Sequence, residues 1–179
     1  MSWISTAGTG CAALLALTLL CAVPVPGVGQ PAGKGADGLT FTTAPVRIAR
    51  IQVREGVSFD DAVESMRLRA NQRNLKYVGV NQLGREIETL SGRPWRRIEI
   101  LSFCDGLVAQ KMIEADPSML AYMPCRIGAL EDDQHRIWLI AMLIDEAVMQ
   151  ALPASARDSA QRVTATLREI MVAGARGDL

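Results

Sequence analysis

Eight consecutive apolar residues, Ile137-Trp138-Leu139-Ile140-Ala141-Met142-Leu143-Ile144, constrain this chain more than any other feature. A run of this length, rich in β-branched and aromatic side chains, reads as a strand that is apolar on both faces. Such a strand is either central in a sheet or presents its second face to another element or subunit. The chain therefore has to build a sheet around it.

The neighbouring segments supply that sheet. Residues 46–53 alternate apolar and polar positions (Val46, Ile48, Ile51 and Val53, with one slip) and end at Glu55-Gly56, so they read as a first strand and a turn. Ser58, followed three residues later by Asp61, is a capping pattern, and Phe59, Ala62, Val63, Met66 and Ala70 recur at helical spacing up to Asn74. Residues 75–80 read as a short strand and residues 81–91 as a polar segment with a short helix, closed by Gly92 and Pro94. Residues 97–103 form a third strand, broken by Cys104-Asp105-Gly106, after which residues 107–114 suit a helix. Residues 125–130 form the fourth strand, residues 131–135 a hairpin turn, and residues 137–144 the fifth strand. Leu152-Pro153 introduces the last helix, with Ser155 and Asp158 as its capping pair and Ala160, Val163, Leu167, Ile170 and Gly174 on its inner face.

This order predicts an α+β fold, an antiparallel sheet of about five strands with one face buried under helices. Residues 45–179 form that single domain. Ahead of it lie two other segments. Residues 11–25 are apolar apart from threonine and end at Pro24 and Pro26, the length of a signal-peptide core and short of a membrane span. We read residues 1–29 as a cleavable signal, with cleavage before Gln30, and hence a periplasmic location. Residues 30–44, rich in Gly, Pro, Ala and Thr, read as a flexible spacer.

Charge excludes some partners. The 179 residues carry 19 Lys+Arg and 19 Asp+Glu, and residues 1–29 contain none of them, so the mature domain is equally neutral. A neutral domain gives no electrostatic case for nucleic acid. Membrane contact enters only through an uncleaved leader. The basic cluster Arg93, Arg96 and Arg97 is the charged approach to a strand. A homodimer joined through residues 137–144, or a periplasmic protein partner, fits the doubly apolar strand.

Outside the leader two cysteines remain, Cys104 and Cys125, and they are the candidate site. In an oxidising compartment an even pair is first a disulfide candidate, contributing about 3 kcal/mol by loop closure. A second reading makes them a soft-metal site with Met123, where thiolate and thioether ligands select Cu(I); Met112 and Met119 are close in sequence, although methionines at such spacing also serve cores. A third is a redox or sulfur-carrier pair, with the helix after Cys104 lowering its thiol pKa. Inert thiols are the fourth. The lone histidine, His135, falls in the hairpin turn, and two separated cysteines with it do not make a structural zinc set. The carboxylates of Asp60-Asp61, residues 131–133 and Asp145-Glu146 sit at a helix start, a turn and a strand end. No residue is assigned a catalytic role, and copper is the one cofactor the residues point to.

The segment from Phe59 to Met142 resembles a bacterial family known as the domain of unknown function 302. The likeness lies in the helix start at residues 58–63, the strand at 97–103 with its small-residue turn, the Met123-Pro124 step, and the strand pair joined by Glu131-Asp132-Asp133. The resemblance implies a compact domain similar to the TATA-binding-protein-like fold class, often exported and with no settled activity. Many members look to have Gly-Asn-Pro where this chain has Cys104-Asp105-Gly106, which makes the cysteines its most individual feature.

Overall fold

The computed structural model of the chain describes residues 31–34 and 39–178. The signal reading of residues 1–29 lies outside them. Within the stretch read as a spacer, β1 (Pro31–Lys34) and β2 (Thr40–Thr42) pair as a two-stranded ladder of their own.

The main sheet has five strands, all antiparallel to their neighbours: β3 (Val46–Gln52), β4 (Lys76–Asn81), β5 (Ile98–Cys104), β6 (Cys125–Glu131) and β7 (Ile137–Ile144), in the spatial order β3-β7-β6-β5-β4. The doubly apolar strand β7 is thus interior, flanked by β3 and β6, the first of the two alternatives its composition left open. Its inward residues Leu139, Ala141 and Leu143 are buried, and Leu101 and Phe103 of β5 and Ile127 and Ala129 of β6 line up on the same face.

Two long helices cover that face: α1 (Phe59–Gln72) and α5 (Ala154–Arg176). The capping box expected at the start of α1 is complete, with Ser58 Oγ accepting from Asp61 N at 3.0 Å and Asp61 Oδ2 accepting from Ser58 N at 3.4 Å. Phe59, Ala62, Met66 and Ala70 of α1 and Leu167, Ile170 and Met171 of α5 complete the main core. The helices meet where Gly174 faces α1; a Cβ there would lie 2.5 Å from Met66 Cγ and 3.0 Å from Ala62 O. Close approach, not backbone freedom, is what this glycine provides.

A second apolar cluster closes one end of the sheet. Met112 of α3 (Gly106–Ala115), Met119 of the short 3-10 helix Pro117–Tyr122, Val148 and Met149 of α4 (Glu146–Ala151), Ala156 and Ala160 of α5, and Ile144 of β7 meet there. Helix α4 was not anticipated: Asp145, read as a strand end, accepts from Ala147 N and caps it. The start of α5 is also a correction. Its N-cap is Pro153 with no side-chain capping bond, so Ser155 and Asp158 are not the capping pair; Pro153 pre-sets the backbone at the boundary instead. The remaining helix, α2 (Leu83–Ser91), lies beside β5. Among the described residues no helix is long and apolar enough to cross a membrane.

Candidate functional site: a sulfur-lined cavity between two cores

The main core and the second cluster meet at the end of the sheet where β5 finishes and β6 begins. Phe103 pairs directly with Cys125 across the ladder, and Cys104 is the next residue along, the last of β5. Here the structure has a cavity of about 30 Å³, lined by Cys104, Cys125, Met112 and Met123 together with Leu75, Phe103, Val108, Tyr122, Ile144 and Val163. The three residues singled out from the sequence, Cys104, Cys125 and Met123, therefore come together, and Met112 joins them. Met119 does not; it is buried in the second cluster. Both cysteines are free thiols and partly buried.

The thiols are protonated at neutral pH. Burial first, and then Cys104, push Cys125 up to about 11 against an opposing backbone hydrogen bond. Cys104 is also raised, first by burial and then by the negative charge of Asp105. The expectation that the α3 terminus lowers the Cys104 pKa is thus overturned. Asp105 is the N-cap of α3, and its carboxylate accepts from Leu107 N at 3.0 Å and Val108 N at 3.2 Å. The N–H groups that a thiolate would use are already engaged, by a group that repels it. Tyr122, on the cavity wall, is likewise raised by burial and by Asp145. Neutral thiols in a largely apolar pocket are poor nucleophiles but remain soft donors for a metal ion that displaces their protons.

The other sequence candidates have structural duties. His135 projects from the hairpin with a left-handed backbone, its side chain mostly exposed and its Nδ1 against Glu131. Asp132 organises that turn, accepting from Arg136 Nε and Trp138 Nε1, both at 2.9 Å. Arg97 bridges Asp60 and the buried Glu99, each at 2.8 Å, with its guanidinium over the Phe59 ring. That bridge borders a larger polar cleft of about 440 Å³ beside Trp95, where Asp60, Arg97 and Glu99 pair with one another and Arg96 pairs with Asp133. Among the described residues no group of three or more His, Cys, Asp or Glu side chains is placed to hold a metal ion; Met donors lie outside that set.

Sequence reasoning missed Val163, Leu75 and Ile144, because no local pattern tells which distant positions close a pocket. Tyr122 was findable, being contiguous with Met123, Pro124 and Cys125.

A search of the curated proteins finds no match to this sequence. The crystal structure of an uncharacterized conserved protein DUF302 from Bacillus stearothermophilus is similar in fold, with a TM-score of 0.58 at 11% identity, covering 70% of this chain and 96% of that one. At that identity the likeness speaks to the fold alone. The family model for the domain of unknown function DUF302 matches residues 50–174, taking in the end of β3, all of β4 to β7, α1, nearly all of α5 and the cavity, and the chain belongs to that family.

Proposed function

We propose that this domain is an exported soft-metal-binding module that holds one cuprous ion between the sulfurs of Cys104 and Cys125, with thioether support from Met123 and Met112. The observation that carries the reading is that four sulfur-bearing residues, Cys104, Cys125, Met112 and Met123, line one cavity of about 30 Å³. Space on that scale admits a single ion or water and no organic ligand. Thiol and thioether donors without imidazole favour Cu(I) over zinc. Binding proceeds by proton displacement: each coordinated thiol gives its proton to solvent and its sulfur to the metal. With both thiols raised in pKa, the apparent affinity climbs about tenfold per pH unit for each thiol displaced.

The test is anaerobic titration of the reduced full chain with Cu(I) against a competing chromogenic chelator. One ion per chain is the expected stoichiometry. Cys104→Ser with Cys125→Ser weakens binding at least a hundredfold while the protein stays folded, and Met123→Leu weakens it several-fold. Equal affinity in the wild type and the double variant overturns the reading.

The adjacency of Cys104 to the Phe103–Cys125 pair favours a second reading, a bridge between the two sulfurs. Intact mass of the protein taken from the periplasm, without reductant, separates the two: a chain starting near Gln30 and two hydrogens short is the bridged form. Redox or sulfur-transfer work is the weaker reading, since both thiols are held protonated.

A further inference from the structure

The side of the sheet away from α1 and α5 is open. Ile48 is 64% exposed and pairs directly with Met142. On the same face Ile140 pairs with Gly128, and Gly128 with Ile100. Together these positions border a groove of about 300 Å³, at the lower end of the range of small-molecule sites. Gly128 makes the trough. A Cβ there would meet nothing nearer than Ile140 O at 3.7 Å, an ordinary contact. Packing does not demand a glycine, and its effect is a side-chain-wide channel between Ile100 and Ile140.

The charged strand residues on this face have one sign, the nearest acid being Asp132 at the Trp138 Nε1. Alternation along β3, β5, β6 and β7 brings Arg50 and Arg126 onto it and no carboxylate. Arg50 lies over the Trp138 ring at 4.1 Å. Arg126 borders the groove, is exposed, and makes no ion pair or side-chain hydrogen bond among the described residues. An unpaired guanidinium beside an apolar trough complements a carboxylate on an apolar chain.

We propose that this groove binds a free monocarboxylate amphiphile, its chain laid across Ile48, Ile100, Ile140 and Met142 and its head on Arg126. A second copy of the chain suits the face less well, because stacking two such faces opposes Arg50 and Arg126 with no acid supplied by the strands, and Asp132 at the margin is already taken by Arg136 and Trp138. A bilayer calls for a field of cations, and here a single arginine is unengaged.

The experiment is calorimetric titration of the full chain with dodecanoate below its micelle concentration. One saturable site is expected, with affinity rising about twofold per methylene from octanoate to dodecanoate, half the roughly fourfold of full burial. Dodecanol binds at least tenfold more weakly. Arg126→Gln also loses at least tenfold with an unchanged unfolding midpoint, because this side chain supports nothing in the fold. Gly128→Leu fills the trough and abolishes binding. Equal binding of dodecanoate and dodecanol, or of wild type and Arg126→Gln, overturns the proposal. So does a sedimenting dimer that dodecanoate does not dissociate, or binding to phosphatidylglycerol vesicles without binding to free dodecanoate.

Discussion

Alkaline titration of the reduced protein isolates the Cys125 thiol. In the unfolded chain this thiol ionises near its ordinary value of 9.0, whereas in the folded protein burial holds its proton until about 11. Between those values the unfolded state sheds a proton that the native state keeps, so stability falls as pH rises. The contribution is fully present below about pH 9 and lost as pH passes through about 11. Two pH units at 1.36 kcal/mol each give about 2.7 kcal/mol. The assay is urea unfolding in half-unit steps from pH 8 to 11.5, with a phosphine reductant, on wild type and Cys125→Ala. Groups other than Cys125 are common to both proteins and largely cancel in the difference. The wild-type advantage over the variant should hold constant to about pH 8.5 and then fall by about 2.7 kcal/mol. Parallel profiles would refute the reasoning, because they would mean that the Cys125 sulfur is as well solvated in the folded protein as in the unfolded one.

Three further outcomes follow from single contacts. Asp105→Asn keeps the acceptor for Leu107 N and Val108 N but removes a charge that raises Cys104, so the Cys104 pKa falls part of the way and alkylation at pH 8 accelerates; an unchanged rate counts against the charge. Asp132 is held well below the usual carboxylate range, first by Arg136 and also by Trp138 and two backbone N–H groups. Its stabilisation is present above about pH 4 and lost as pH falls further, so the gap between wild type and Asp132→Ala in acid unfolding should be widest above pH 5 and narrow below 4. Gly174→Val drives a side chain into Met66 and the Ala62 carbonyl, costing about 1–3 kcal/mol by overpacking; a neutral result in urea unfolding means that α1 and α5 can separate freely.

Most of the scaffold was legible because its signals are local. The Ser58–Asp61 capping box, the helical spacing from Phe59 to Ala70 and the strict inward alternation of Glu99, Leu101 and Phe103 are each written in a few adjacent residues. The doubly apolar β7 pointed to an interior strand or to a second covered face, and the first is what the strand order shows. Helix α4 was hidden since six residues give less than two turns, too few for a period to show. The bulge in β4 between Tyr77 and Gly79 depends on its pairing with β5 and has no local signature. For the site, the sequence placed Cys104 at the end of one strand and Cys125 at the start of the next, and their proximity rests on the β5–β6 pairing that the structure shows. The direction of their pKa values was not legible. A helix start after Cys104 argued for a thiolate, but the outcome depends on burial by distant residues such as Val163 and on where the Asp105 carboxylate points.

The most direct measurement is copper K-edge X-ray absorption on the reduced full chain loaded anaerobically with one equivalent of Cu(I). A cuprous ion in a first shell of sulfur alone, lost in the variant carrying Cys104→Ser and Cys125→Ser, is the predicted result. Nitrogen or oxygen in the first shell, or a spectrum unchanged by removing both cysteines, would contradict the claim that the cavity is a sulfur site for a soft metal.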